Sequence, residues 1–208
     1  MLPRICPYAI PTGFGLHQAR VTWKLEPARA VLLVQDMQNY FLAPFGIADR
    51  ALQARVVDNI DTLRKHAAEL GVPVVYSAQP GGQSRAERGL LQDFWGDGPP
   101  DNPRLLAIVD ALTPVAGDLR FTKRRESAFA GTPLADLLGD RDQLIITGVY
   151  AHLGVLATAQ DAFTRDIQPF VVADAVADFS PAYHRDALRR VSDRCGVVGT
   201  AAEIVESL

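Results

Sequence analysis

Short apolar runs alternate along the chain with longer segments that carry an apolar residue at every third or fourth position. The run Ala30 to Val34 is unbroken and rich in branched side chains, which is typical of a strand buried on both faces of a parallel sheet. The segment Ala51 to Leu70 has charges between its apolar positions, and it predicts an amphipathic helix that ends at Gly71. Further runs of the strand type follow at Val72 to Ser77, Leu119 to Thr122, Gln143 to Thr147, Pro169 to Ala173 and Val197 to Val198.

Strands that alternate with helices predict a parallel sheet covered by helices on both faces. Later helices are expected up to about Arg165, over Pro181 to Cys195 and at the carboxyl end. The fold class is therefore expected to be α/β, a three-layer sandwich around a central, mainly parallel six-stranded sheet with Rossmann-like topology. The 208 residues suit one domain, residues 1–208, and residues 1–29 read as an irregular arm rich in proline and glycine.

Composition and charge narrow the function classes. Apolar residues make up 48% of the chain and charged residues 22%, as in ordinary globular proteins. The net charge of −3 gives no reason to expect nucleic acid or an anionic membrane as a partner. No apolar run reaches the ~18 residues of a membrane span, and the first residues lack the apolar core of a signal peptide. Cys6 and Cys195 form no motif, which predicts reduced thiols in a cytoplasmic protein.

Polar or special residues follow four of the predicted strands. Asp36 follows the first strand, Gln79 the second, Lys123 the third, and the glycine-bounded turn 148–154 the fourth. Ligands of open α/β sheets bind outside the carboxyl ends of the strands, so these residues are expected to converge on one site. For Asp36 alone, capping of the next helix is the alternative, and the agreement of four strand ends favours chemistry. The fifth strand also ends on an acid, Asp174.

Several titratable residues fit structural roles better than catalytic ones. His152 is expected early in a helix, where its sequence neighbours supply no partner for a base. Asp174 and Asp178 fit helix capping and backbone bonding better than a metal pair. The spacing of metal ligands is also absent from the remaining histidines, which are His17, His66 and His184. Neither a metal nor another cofactor is therefore expected.

Together these motifs resemble the isochorismatase-like hydrolase superfamily. The resemblance implies that Asp36 and Lys123 are catalytic and that Gly154 occupies the position of the superfamily's cysteine nucleophile. Without a thiolate there is no covalent acyl-enzyme route, so amidase chemistry is disfavoured. A glycine there is typical of true isochorismatases, which hydrolyse a vinyl ether. The likeness covers nearly the whole chain through the segments Val34 to Phe41, Arg88 to Gly96, Asp166 to Phe170 and Val172 to Ser180.

The resemblance implies a cofactor-independent hydrolase of a chorismate-derived dicarboxylate. It is strongest to the stand-alone isochorismatases of phenazine type, which cleave 2-amino-2-deoxyisochorismate to trans-2,3-dihydro-3-hydroxyanthranilic acid and pyruvate. Isochorismate, giving 2,3-dihydro-2,3-dihydroxybenzoate and pyruvate, is the alternative substrate, and the motifs do not separate the two. The resemblance also implies a homodimer.

Two other classes compete with this hypothesis. One is a non-catalytic scaffold on a degenerate hydrolase fold, which the missing cysteine supports. Retention of the other polar site residues argues against it, because a scaffold needs none of them. The second is a cysteine-dependent amidase, which would require Cys6 or Cys195 in the site. The sequence places both cysteines away from the predicted site, so this class is disfavoured.

Cleavage of an enolpyruvyl ether requires a proton on the terminal vinyl carbon, and Asp36 is the expected acid. Asp36 must then carry a proton at working pH. An apolar, dry pocket formed by Phe41, Phe94 and Trp95 would favour the protonated form, and the nearby cation Lys123 would oppose it.

Substrate-binding roles are expected for six residues: Gln79, Arg88, Trp95, Tyr150, Phe41 and Gly154. Arg88, with Lys123, is the expected carboxylate clamp, and the alternative for Arg88 is a solvated helix charge. Gln79 is expected to bond the ring substituent or the attacking water, or else to serve only as a turn residue. Tyr150 is expected to bond a substrate oxygen, or else to be a packed aromatic with its hydroxyl at the surface. The resemblance also implies a cis peptide bond just before Tyr150.

Overall fold

The computed structural model describes residues 2–46 and 50–208. In this part of the chain six strands form one sheet: β1 (Ala30–Gln35), β2 (Val74–Ala78), β3 (Leu119–Thr122), β4 (Gln143–Val149), β5 (Gln168–Ala177) and β6 (Val197–Gly199). The α-helices of the same part are α1 (Asn39–Leu42), α2 (Arg50–Glu69), α3 (Arg85–Arg88), α4 (Leu91–Trp95), α5 (Pro103–Leu106), α6 (Leu134–Leu138), α7 (Leu156–Thr164), α8 (Pro181–Arg194) and α9 (Ala201–Ser207).

The strand order is β3-β2-β1-β4-β5-β6, and every neighbouring pair is parallel. The chain builds the sheet outward from β1 in one direction as far as β3 and then in the other direction from β4. A crevice therefore opens between the carboxyl ends of β1 and β4, where the direction reverses, and this is the usual ligand position of such sheets. The α/β fold class with a parallel six-stranded sheet is confirmed.

The two faces of β1 bury different cores. Leu32 and Val34 pack in the cluster that holds the apolar stripe of α2 and Ile204 of α9. Val31 and Leu33 point the other way, into the cluster that holds the apolar faces of α7 and α8. Since successive side chains of a strand alternate between faces, the apolar run Ala30 to Val34 of β1 needs a helical layer on each side. The predicted three layers are thus present.

The strand β5 is longer than the sequence predicts. It runs to Ala177 and contains Asp174 instead of ending at that residue. Oδ1 of the Asp174 carboxylate accepts a hydrogen bond of 2.7 Å from the backbone N–H of Ala201, the first residue of α9. The strand is long because apolar residues continue beyond Asp174. The prediction that an acid ends the fifth strand is wrong, and the prediction that Asp174 caps a helix is confirmed.

The amino-terminal arm packs on the domain. Residues 2–29 are irregular apart from one short 3₁₀ turn, Leu16–Gln18. Ile5 and Leu25 are nonetheless buried in the same core as α2. The Tyr8 hydroxyl lies 3.1 Å from His184 Nδ1, and His184 Nε2 lies 3.0 Å from the carbonyl oxygen of Ala173. A carbonyl only accepts, so Nε2 carries the proton and the Tyr8 hydroxyl donates to Nδ1.

The buried, neutral His184 predicts a loss of stability in acid. Burial lowers the pKa of His184 to about 4, from 6.5 in the unfolded chain. Between these pH values the unfolded state binds more protons, so the free energy of unfolding falls as the pH falls from about 6.5 to 4. Between pH 7 and pH 4.5 we expect the free energy of unfolding in urea to fall by about 2 kcal/mol more in wild type than in His184→Gln. The exposed-site control His17→Gln should follow the wild type; equal acid losses in wild type and His184→Gln would contradict the assignment.

Within the described residues, no helix is both long enough and apolar enough to cross a membrane.

Candidate active site

A pocket opens in the crevice beside β1 and β4. All eight residues that the sequence singles out for catalysis or substrate binding line it: Asp36, Phe41, Gln79, Arg88, Trp95, Lys123, Tyr150 and Gly154. Sequence reasoning missed other lining residues, namely Leu2, Tyr40, Leu91, Arg125, Glu126, Val149 and Leu153. Leu2 and Tyr40 lie in irregular or short elements without a periodic pattern, so no local signal placed them there.

The Asp36 carboxylate is held by three neighbours. Lys123 Nζ lies 2.6 Å from Oδ2, and the side chains of both residues are almost fully buried. The hydroxyl of Ser77 donates to Oδ1 at 2.8 Å, and Gln79 Nε2 lies 3.4 Å from Oδ2. The carboxylate therefore has a fixed orientation and, among the described residues, a single close cation. Ser77 was not singled out from the sequence, because it reads there only as a buried strand residue.

Backbone conformation carries Asp36 into the crevice. Its φ of +54° lies in the left-handed region, which aspartate tolerates better than most residues and which often marks functional sites. The turn occurs one residue after β1 ends at Gln35. Opposite it, Gly148 pairs with Gln35 at a φ of +105°, and a Cβ there would lie 2.0 Å from the Gln35 carbonyl oxygen. Glycine at 148 thus allows β4 to approach the end of β1 closely.

Tyr150 and Phe41 form an aromatic wall of the pocket. The Tyr150 hydroxyl donates to the carbonyl oxygen of Phe41 at 2.5 Å, and the Tyr150 ring packs 4.2 Å from that of Phe179, centroid to centroid. Burial raises the pKa of Tyr150, so the hydroxyl keeps its proton. The hydroxyl is buried instead of lying at the surface, and its proton already has an acceptor within the protein. The peptide bond between Val149 and Tyr150 is cis, as the resemblance implied.

Behind this wall, Asp178 anchors the turn after β4. It is fully buried, and its Oδ2 accepts from the His152 backbone N–H at 2.6 Å. Its Oδ1 lies 2.6 Å from His152 Nδ1 and accepts from the Phe179 N–H at 2.7 Å. His152 lies early in a helical turn, Ala151–Val155, as expected, and its partner Asp178 is 26 residues away in sequence instead of among its neighbours. The backbone-bonding role expected for Asp178 is confirmed, and no metal-binding group of acids, histidines or cysteines occurs among the residues described.

Arg88 points into the pocket from the segment 84–98. Ser84 and Glu87 form a capping box that starts α3, and Arg88 is its last residue. Arg88 is 5% exposed, Nε donates to the Gly96 carbonyl oxygen, and Nη1 is buried without a partner in the part of the chain that the structure describes. Burial lowers the pKa of Arg88, although the guanidinium remains charged. A buried cation with an unused donor favours a carboxylate ligand over the alternative of a solvated helix charge.

The dry wall expected from Phe41, Phe94 and Trp95 is only partly present. Trp95 lines the pocket, and its ring lies 6.0 Å from that of Phe179. Phe94 is 84% exposed and is not among the lining residues. Adjacent helix positions point in different directions, so Phe94 and Trp95 of α4 cannot both face the pocket. Phe94 is therefore a wrong prediction for the dry wall, and Tyr150 takes its place.

The charges that line the pocket favour an anionic ligand. Arg88, Lys123 and Arg125 oppose Asp36 and Glu126, three cations against two acids. Arg125 is tied to α3, since its Nη1 donates to the carbonyl oxygen of Glu87 at 2.9 Å. Because Lys123 already compensates Asp36, the arginines supply the remaining positive charge.

The chain is similar to known proteins over most of its length. The family model described as the isochorismatase domain matches residues 30–203. The chain is 49% identical over 206 residues to the phenazine biosynthesis protein PhzD of Pseudomonas fluorescens, with 98% of each chain covered. It is 44% identical over 209 residues to the isochorismatase of Bacillus subtilis, covering 100% of this chain and 67% of that protein.

A solved structure of a cysteine hydrolase from Pseudomonas syringae pv. phaseolicola superposes with a TM-score of 0.82 at 25% identity. The match covers 90% of this chain and 95% of that one. The family match spans most of the chain and includes the strands that carry the pocket residues. This chain therefore belongs to the isochorismatase family of hydrolases.

Proposed function

We propose that this protein hydrolyses the enolpyruvyl ether of 2-amino-2-deoxyisochorismate to trans-2,3-dihydro-3-hydroxyanthranilic acid and pyruvate. The observation that carries the proposal is the buried Asp36–Lys123 pair, 2.6 Å apart, next to a position, Gly154, that has no side chain. A carboxyl group in such a pocket can act as a general acid, and the glycine at position 154 offers no nucleophilic side chain.

The first step is proton transfer from Asp36 to the terminal carbon of the vinyl group. For this the Asp36 carboxyl must carry a proton when the substrate is bound. The Ser77 hydroxyl keeps the carboxyl oriented by its hydrogen bond to Oδ1.

Protonation converts the enol ether to an oxocarbenium ion, which one water molecule captures. The bond between the hemiketal carbon and the ether oxygen then breaks. That oxygen stays on the carbocycle as a hydroxyl group, and pyruvate is released. One water is consumed for each ether cleaved. The cation forms between Asp36, now an anion, and the aromatic faces of Tyr150 and Trp95, which stabilise positive charge. Gln79, whose amide lies 3.4 Å from Asp36, orients the water or the ring substituent.

Isochorismate is the second candidate substrate. The two molecules differ in one ring substituent, an amino group against a hydroxyl. The amino substrate is supported by the 49% identity to a phenazine biosynthesis protein over 98% of both chains. Isochorismate is supported by the relative that is itself called an isochorismatase, at 44% identity.

Pyruvate release, coupled to lactate dehydrogenase, tests the proposal with both substrates side by side. We expect kcat/KM to be at least about tenfold higher for the amino substrate, a difference of ~1.4 kcal/mol in transition-state binding. A reversed preference would assign isochorismate as the substrate. No pyruvate from either substrate, with a folded protein, would overturn the hydrolase assignment and favour a non-catalytic scaffold.

Arg88→Ala is expected to raise KM more than it lowers kcat. The variant removes a buried cation whose free Nη1 is the proposed donor to a substrate carboxylate, a contact of about 1.5–3 kcal/mol. KM should rise roughly 10- to 100-fold, and Arg88→Lys should restore little because lysine lacks the fork. Arg85→Ala on the same short helix is the control, since Arg85 is exposed and pairs with Asp93. A KM unchanged in Arg88→Ala would remove Arg88 from the substrate site.

We also propose a domain organisation and an oligomeric state for this protein. We expect residues 1–208 to fold as one domain and to form a homodimer. Sedimentation equilibrium would check the assembly: a single species of twice the 22.6 kDa chain mass is the expected result, and a monomer would contradict it.

A further inference from the structure

Position 154 lies between the catalytic pair and the carboxamide of Gln35. A Cβ built on Gly154 would lie 2.2 Å from Gln35 Nε2 and 3.2 Å from Lys123 Nζ. The first distance is far shorter than any contact that a real side chain makes. The space that a side chain at this position would need is therefore already filled by Gln35.

Gln35 cannot easily move out of this space. It is fully buried, and its Oε1 accepts a hydrogen bond of 2.9 Å from the hydroxyl of Thr158 on α7. That hydroxyl also accepts from the Ala128 N–H at 2.9 Å, which leaves its own proton for Gln35. Thr158 thus holds the Gln35 side chain in place, with Nε2 of the carboxamide towards Gly154. Gln35 Nε2 is buried and has no hydrogen-bond partner among the described residues, an arrangement that proteins normally avoid.

We propose that Gln35 is a specificity-determining residue that keeps position 154 free of a side chain and so restricts the site to hydrolysis without a covalent intermediate. A nucleophile at 154 would stand beside the Lys123 ammonium, which stabilises thiolates and other anions. The fold tolerates such chemistry, because it superposes on a protein described as a cysteine hydrolase. In this chain the carboxamide of Gln35, and not only the glycine, excludes it.

The inference deepens the proposed function because it concerns the same site, yet it does not depend on the substrate. Its test uses no enolpyruvyl compound, so failure of the proposed substrate and failure of this inference are separate results. Under this inference positions 35 and 154 are coupled, so that a side chain at 154 is tolerated only when Gln35 is also changed. A glycine whose role did not involve Gln35 would show no such coupling.

The first experiment is a thermodynamic cycle with Gly154→Ala, Gln35→Ala and the double variant, followed by urea unfolding. We expect Gly154→Ala to lower the unfolding midpoint strongly in the wild-type background and little when Gln35 is alanine. Gln35→Ser replaces Gln35→Ala if the latter does not fold alone. Equal losses in the two backgrounds would overturn the inference, and so would a Gly154→Ala change that prevents folding in both.

The second experiment introduces a thiol with Gly154→Cys, alone and together with Gln35→Ala. Iodoacetamide at pH 7, followed by peptide mapping, separates the new thiol from Cys6 and Cys195. In the double variant we expect the new thiol to react roughly tenfold faster than in the single variant, and adding Lys123→Met should slow it. The inference is overturned if the thiol is equally reactive in the single and double variants.

Discussion

Asp36→Asn should release pyruvate about 10³-fold more slowly than the wild type, the size expected when a general acid is removed. Asparagine has the shape of aspartate and can keep the hydrogen bond from Ser77, 2.8 Å in the wild type, but it has no proton of suitable acidity for a vinyl carbon. The loss should fall on kcat with little change in KM, because Asp36 acts on the reacting carbon and not on a substrate carboxylate.

Two controls separate this result from a general loss of structure. Asp140→Asn changes an exposed acid outside the pocket and should leave kcat at the wild-type value. Thermal unfolding of Asp36→Asn should remain cooperative, which shows that an inactive variant is folded. An Asp36→Asn protein with kcat within tenfold of the wild type would mean that another group supplies the proton.

Lys123→Met is expected to lower both activity and stability. The change leaves the Asp36 carboxylate buried without its cation, and breaking a buried pair by removing one partner costs about 3 kcal/mol or more. Methionine fills nearly the same volume as the lysine stem, so the stability loss reports the charge and not a cavity. We expect kcat/KM for pyruvate release to fall at least about 10²-fold, as for removal of a group that positions proton transfer.

The double variant Asp36→Asn/Lys123→Met gives the matched comparison for stability. It removes both charges, so no buried ion is left without a partner, and it should be more stable than Lys123→Met alone. Urea unfolding of the four proteins at pH 7 measures this directly. Additive stability losses would show that the two side chains, 2.6 Å apart, do not compensate each other.

The sequence by itself determined the layers and most of the site. The strand β1 is apolar at every position from Ala30 to Val34, and only a sheet covered on both faces buries all of them. The positions of Asp36, Gln79 and Lys123 were set once their strands were recognised, because parallel strands place their carboxyl ends at one edge. Gly154 could be singled out because the motif around it aligns without gaps to a known family.

Only the tertiary structure decided how these residues meet groups that are distant in sequence. The contact of His152 with Asp178 crosses 26 residues, and the hydrogen bond of Thr158 to Gln35 crosses 123. No local periodicity encodes such pairs, since they depend on how β5 and α7 are placed against the sheet. Phe94 shows the same limit, since a motif placed it near the site. The orientation of the five-residue helix α4 about its axis points Trp95 towards the pocket and exposes Phe94 to solvent. Helix rotation is fixed by packing on the rest of the domain, which is why the pattern of the chain alone could not choose between the two rings.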